Sequence, residues 1–237
     1  MSEQKRVAIM QPYFLPYIGY WQLINAVDCF VIYDTIEFTK KGWVHRNRLL
    51  QNNTDQMFSL ALEKASDYLA VVERRLSADS VQHYEKLLRK FAGAYQKAPY
   101  FAETMPLLER IFRFEDKNLF RFIFNSIELV CQHLSITTPL LISSDIEQGP
   151  LLKGQDRVKN LCHQLQATDY INSIGGQALY SKTDFAEQGL QLHFQRVLPF
   201  DYRQFGEDFL PWLSIVDVLM FNSVDNVKRQ LDKMELC

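Results

Sequence analysis

The chain has 237 residues, 47% apolar and 23% charged, enough to bury a core without disulfide or metal staples and too apolar for a disordered polymer. Its 26 basic and 28 acidic residues give a net charge of −2, so the overall balance offers no field for duplex DNA. The four cysteines, Cys29, Cys131, Cys162 and Cys237, are scattered without a C-x-x-C pair. This pattern fits reduced thiols in a cytoplasmic protein. The opening MSEQKRVAIMQP is too short in apolar residues for an export signal, and no apolar run approaches the roughly 20 residues of a membrane span. A membrane-bound substrate would therefore be met from the water side.

Val7 to Met10 is an apolar run that stops at Gln11-Pro12, the pattern of a buried strand emptying into a loop. After Pro16, the apolar residues Trp21, Leu23, Ile24 and Val27 predict a helix, and CFVIY, Cys29 to Tyr33, predicts a second buried strand. Residues 34–45 are polar and form a loop at that strand's carboxyl end, where α/β sheets place their sites. NRLLQ, QMFSLAL and VVERRLS are short and β-like with no long helix between them, which predicts a hairpin or edge elaboration. From Ser80 to Leu134 the spacing becomes helical in three segments, with Ser80 and Asn118 as N-cap candidates and Pro99 and Pro106 as interruptions. This block, residues 80–135, reads as a helical insertion within one domain spanning 1–237. Alternation then returns: TPLLISS as strand, GQDRVKNLCHQLQA as helix, DYINS as strand, a Gly-Gly loop, KTDFAEQG as helix and LQLHFQRV as strand. LSIVDVLMFNSV and DNVKRQLDKMEL close the chain as amphipathic helices. Such alternation predicts a three-layer α/β fold, a mostly parallel sheet of about five strands.

Four constellations carry candidate chemistry. Gln11, Pro12, Tyr13, Tyr17, Gly19 and Tyr20 lie where the first strand runs into the first helix, whose N-terminal N–H groups suit a phosphate or carboxylate, with Gly19 allowing close approach. The plain alternative is a crossover stiffened by prolines, its aromatics in the core. Asp34, Glu37, Lys40, Lys41, Trp43, His45, Arg46, Asn47 and Arg48 follow the second strand. Arg offers a bidentate grip on phosphate, Lys a point charge, and Asp34 a hydrogen-bond acceptor for a sugar hydroxyl; a solvated charged loop is the alternative. Ser173, Gly175, Gly176 and Tyr180 follow a later strand, and Gly-Gly there predicts a small anion nest, with a tight turn as the alternative. Ser143, Ser144 and Asp145 would open onto the same edge. Finally come Asp201, Tyr202 and Gln204, with Ser214 and Asp217 three residues apart on one helix face. A buried Asp217 needs a partner, either a basic residue or a helix end.

The histidines and cysteines lack metal-ligand spacing, and no carboxylate cluster demands Mg²⁺. G-x-S-x-G, G-x-x-x-x-G-K-[ST] and G-x-G-x-x-G are all absent.

The run QPYFLPYIGYWQLINAVDCFVIYDTIEFTKKGWVHRNRLL, with DYINSIGGQALY and LPWLSIVDVLMFNS further on, resembles the WbqC-like family of bacterial surface-polysaccharide genes. The resemblance covers the whole chain and implies a Rossmann-like α/β fold. It also implies a transferase that decorates a sugar or nucleotide-sugar in O-antigen assembly, with an amino acid such as glycine as the group transferred. A looser similarity links Tyr17-Ile18-Gly19-Tyr20 to the H-x-G-H turn of nucleotidylyltransferases, but tyrosines stand where histidines would hold phosphate.

A transferase would use the Tyr17 to Tyr20 turn and Gly175-Gly176 as cradle and oxyanion donors. Lys41, Arg46 and Arg48 would be its charge clamps, and Asp34 its base or hydroxyl orienter. Its small-molecule partner would be a nucleotide-sugar or an activated acyl donor: an aminoacyl-tRNA, a thioester or an adenylate. The alternatives are a nucleotide-binding nucleotidyltransferase relative and a non-catalytic scaffold of a biosynthetic complex.

Overall fold

The structure is a computed structural model that describes residues 4–146 and 152–237; Met1 to Glu3, part of the segment read for an export signal, lie outside it. Strand β1 (Arg6–Met10) forms where expected and is followed by helix α1 (Ile18–Asn25) and strand β2 (Cys29–Ile32). β1 pairs in parallel with β2 on one side and, through Arg6 and Val7, with β6 (Asp169–Ser173) on the other. β5 (Leu140–Ile142), which leads directly into the one-turn helix α5 (Ser143–Ile146), continues the sheet beyond β2, and β7 (Gln191–Val197) beyond β6. The last strand, β8 (Met234–Leu236), runs antiparallel to β7, so the order is β5-β2-β1-β6-β7-β8. The six-stranded sheet is thus mostly parallel, one strand larger than the expected five. The chain leaves β1 to one side and returns to its other side at β6, which makes the β1/β6 boundary the switch point where open α/β sheets form their crevice.

Strict alternation along the strands builds two cores. Val7, Ile9, Cys29, Val31, Tyr170, Leu192 and Phe194 face one side, where Val158, Leu161 and Phe185 cover them from helices α6 (Gly154–Gln164) and α7 (Lys182–Ala186). Ala8, Phe30, Ile32 and Ile171 face the other, beneath Trp21, Leu23 and Ile24 of α1. Buried residues of helices α2 (Ser80–Tyr95), α3 (Phe101–Phe112), α4 (Leu119–His133), α8 (Ile215–Phe221) and α9 (Val224–Leu231) belong to this second core. Three layers result, as the alternation predicts.

The remaining elements hold to the sequence with local differences. NRLLQ and the start of QMFSLAL form a hairpin, β3 (Arg46–Gln51) and β4 (Thr54–Ser59), closed by Asn52 and Asn53, both at positive φ (51° and 56°) as a two-residue twisted turn requires. VVERRLS is not a strand but a 3₁₀ turn over Val71–Glu73. Asn118 caps α4, accepting the Arg121 N–H at 3.0 Å, whereas Ser80 falls inside α2. Pro99 separates α2 from α3, but α3 continues through Pro106 because Thr104 before it and Leu107, Leu108, Ile111 and Phe112 after it are buried, which offsets the lost hydrogen bond. Among the described residues no helix is long and apolar enough to cross a membrane.

Candidate functional site

Three irregular segments meet at the carboxyl ends of β1, β6 and β7, and backbone carbonyls tie them together. Leu15 adopts a left-handed conformation (φ 47°) in the core, a geometry that costs about 1–3 kcal/mol for a residue with a Cβ. Its carbonyl accepts from Asn47 Nδ2 at 2.8 Å and from Ser214 Oγ at 2.7 Å, which fixes it. The Phe14 N–H donates to the Val44 carbonyl, and the Ile215 N–H to the Pro16 carbonyl, each at 2.9 Å. Trp212 is also left-handed (φ 62°), and Arg48 donates to its carbonyl at 3.2 Å.

These segments enclose two adjacent cavities. The smaller, about 220 Å³, is lined by Tyr13, Tyr17, Trp43, Asn47 and Arg48, all expected site residues, together with Pro16 and Trp212. The larger, about 250 Å³, is framed by Val197 at the end of β7, the loop residues Phe200, Asp201, Tyr202 and Phe209, and Val218 of α8. Tyr17 and Trp212, in edge contact with centroids 5.7 Å apart, border both. Tyr17 also hydrogen-bonds Ser173 at the end of β6. Burial raises the pKa of the Tyr13 and Tyr17 phenols, so both stay neutral, Tyr13 giving its proton to Gln11 Oε1 and Tyr17 keeping its own to donate.

Arg48 is the cation of this crevice. Its guanidinium pairs with Asp55 at 3.1 Å and lies 5.6 Å from the Trp43 ring centroid, while its Nε is buried without a partner among the described residues. Arg46 instead folds onto its own loop, donating to the carbonyls of Gly42 (2.9 Å) and Lys41. Its guanidinium carbon lies 5.8 Å from the Trp43 ring centroid, and the Lys41 residue is exposed. Neither lines the cavities.

Several expected roles change. Tyr20 is only 2% exposed and belongs to the core, where its hydroxyl donates to the Gln11 carbonyl at 3.0 Å, so it positions the end of β1 and lines neither cavity. Gln11 is occupied in turn, its Oε1 accepting from Tyr13 at 3.2 Å, and Pro12 is buried. Gly19 does not open the backbone to a ligand. A Cβ there would lie 2.4 Å from the Tyr17 ring and 2.6 Å from Val197 Cγ2, so the glycine makes room for Tyr17. Gly175 and Gly176 form the first turn of a 3₁₀ helix (Ile174–Leu179), with the Gly175 N–H given to Ser173 Oγ at 3.3 Å and no left-handed residue, hence no αR-αL nest. Tyr180 packs on the other side of the sheet against Tyr170 and Phe185.

Asp34 is 1% exposed and accepts from Ser143 Oγ (2.7 Å), the Ser144 N–H (3.1 Å) and Ser144 Oγ (2.8 Å). It joins the ends of β2 and β5 rather than presenting a free base. The four strand ends thus pair off, β2 with β5 through Asp34 and β1 with β6 through Tyr17. Asp217, fully buried, receives Tyr95 (2.9 Å), Tyr202 (2.6 Å) and Gln204 (2.7 Å), all neutral, near the start of α8. Burial raises its carboxyl and these bonds partly oppose the shift. It braces the wall of the larger cavity. Among the described residues no group of three or more His, Cys, Asp or Glu is placed to hold a metal ion.

A mostly parallel α/β sheet with an aromatic-lined crevice at its switch point defines the class: a three-layer, Rossmann-like α/β protein. The chain belongs to the WbqC-like protein family, whose profile matches residues 11–229. It is similar to the protein described as "Uncharacterized protein Rv1507c" from Mycobacterium tuberculosis, 30% identical over 221 residues that cover 92% of this chain and 94% of that one. No solved structure matches the chain.

Proposed function

We propose that this protein is a transferase that places an acyl or aminoacyl group on a sugar or nucleotide-sugar during surface-polysaccharide assembly. The observation that carries the reading is the grouping of Arg48 with Tyr13, Tyr17, Trp43 and Trp212 around one crevice at the strand ends. Aromatic faces pack against the C–H face of a sugar ring, and a guanidinium holds a phosphate through directed N–H donors. In the reaction, the acceptor nitrogen or oxygen forms a bond to the acyl carbon and the activating group leaves with the electrons of its own bond. The proton shed by the acceptor passes to a carboxylate. With Asp34 buried and saturated, Asp201, which lines the larger cavity, takes that part. Tyr17, as a neutral phenol, donates to the carbonyl oxygen as it gains charge.

A thermal-shift screen over UDP- and dTDP-sugars, nucleotides and acyl-CoAs tests the reading. A native-state ligand at about a hundred times its Kd adds about 2.7 kcal/mol, or roughly 5–10 °C for a chain of this size. A nucleotide-sugar is expected to raise the melting temperature of the wild type and to lose most of that effect in Arg48→Ala. No shift with any sugar nucleotide, or an equal shift in the variant, would refute the assignment.

A further inference from the structure

The two cavities carry opposite charges. Asp201 is the one charged side chain among the residues lining the larger, and Arg48 the one among those lining the smaller. Around Asp201 the walls are apolar, with five aromatic residues among them. Tyr202 contacts Phe200 and Phe209 with centroids 5.2 Å and 5.0 Å apart, and Tyr17 and Trp212 close the side toward Arg48. Aromatic faces are negative, so an ammonium group is attracted both by rings and by a carboxylate, whereas an anion is repelled. At the other end, Arg48 Nη1 gives one N–H to Asp55 and Nη2 one to the Trp212 carbonyl, which leaves a second N–H on each to reach a phosphate in the smaller cavity.

Size points to one ligand rather than two. Small-molecule sites commonly occupy roughly 300–1,000 Å³. At about 250 and 220 Å³ neither cavity reaches that range, while the two joined across Tyr17 and Trp212 do. A nucleobase suits the larger cavity poorly. Its ring nitrogens and carbonyls would need several partners from walls that are mostly apolar, and the Tyr202 hydroxyl is already given to Asp217. A ring with one cationic substituent and few hydroxyls meets no such penalty.

We infer that the crevice takes a phosphorylated amino sugar, its ammonium group beside Asp201, its phosphate at Arg48 and its ring against Tyr17 and Trp212. The inference rests on the reading of the crevice as a sugar site and adds the acceptor class: the group to be acylated is an amine, and it arrives next to the carboxylate that can accept its proton.

Isothermal titration calorimetry with glucosamine 1-phosphate, glucose 1-phosphate and glucosamine tests it. Loss of either the amine or the phosphate is expected to weaken binding tenfold or more, and UDP-glucosamine should outbind UDP-glucose by the same margin. Asp201→Asn, at an exposed loop position, should erase the preference for the amine. Arg48→Gln should erase the preference for the phosphate. An aminoacyl adenylate carries the same two charges, so 5′-O-(glycylsulfamoyl)adenosine is the competing probe. Its binding more tightly than glucosamine 1-phosphate would overturn the inference, as would equal affinity for the glucose and glucosamine phosphates, an amine preference that survives Asp201→Asn, or no binding at all. Amine-selective binding without acyl transfer from any donor would sink the transferase reading alone. Nucleotide-sugar binding that ignores the amine would sink this inference alone.

Discussion

Replacing Asp217 tests how the larger cavity keeps its wall. The carboxylate accepts from Tyr95, Tyr202 and Gln204, and the Tyr95 hydroxyl accepts in turn from the Leu50 N–H at 2.8 Å. In Asp217→Ala the two buried hydroxyls lose their acceptor, while Gln204 keeps the Leu210 carbonyl at 3.2 Å. An unsatisfied buried donor costs about 1–3 kcal/mol, so two predict a loss of about 2–6 kcal/mol, against a typical total of about 5–15 kcal/mol. The melting temperature should fall by roughly 4–24 °C. Asp217→Asn keeps the shape and one acceptor oxygen, and should lose much less. pH separates the two further. Burial raises the carboxyl above its unfolded value, so its contribution is fully present below the unfolded pKa and is lost as pH rises through the folded one. The stability advantage of wild type over Asp217→Asn should therefore shrink from pH 4 toward pH 8. Urea denaturation across that range measures it. A loss below about 1 kcal/mol in Asp217→Ala, or an advantage that grows with pH, would refute the reasoning.

Gly19→Ala should push the Tyr17 ring off its seat and weaken ligand binding several-fold at little change in secondary structure, read by calorimetry and circular dichroism. Tyr20→Phe removes one hydrogen bond to the Gln11 carbonyl and should lower stability by about 0.5–1.5 kcal/mol without altering ligand affinity; a large loss of affinity at unchanged stability would return Tyr20 to the site. His45 is held down to about 4 by burial first and then by the neighbouring Arg46 and Arg74 charges. Its stabilising neutral form is fully present above the unfolded pKa of about 6.5 and is lost as pH falls toward 4, so wild type should lose stability over that interval more steeply than His45→Gln.

The elements that follow a period were legible in the sequence. Val7 to Met10, Cys29 to Ile32 and the three helices between Ser80 and His133 form where apolar spacing placed them, because burial on both sheet faces and on one helix face imposes that spacing. The crevice was half legible. Tyr13, Tyr17, Trp43, Asn47 and Arg48 converge as expected, but Trp212, Phe200 and Phe209 come from a loop with no period, held by Gln204, whose reach to Leu210 has no one-dimensional signature. Tyr20 was misplaced by its three-residue spacing from Tyr17. Tyr17 stands outside α1 at its N-cap with extended backbone, so the helical period does not align the two side chains. Met234 to Leu236, read as the end of the last helix, form β8 instead, because three residues after a helix carry too little alternation to announce a strand.

Two of the three tryptophans, Trp43 and Trp212, line the crevice, while Trp21 is fully buried in the core with its indole N–H given to the Pro16 carbonyl. A tryptophan-fluorescence titration with a nucleotide-sugar therefore reports directly on whether this crevice is the binding site. A saturable change in the wild type, shifted at least tenfold to higher concentration in Arg48→Ala and largely lost when Trp43 and Trp212 are both replaced by Phe, is the expected result. A signal that is absent from the wild type, or that persists unchanged through those substitutions, would contradict the account.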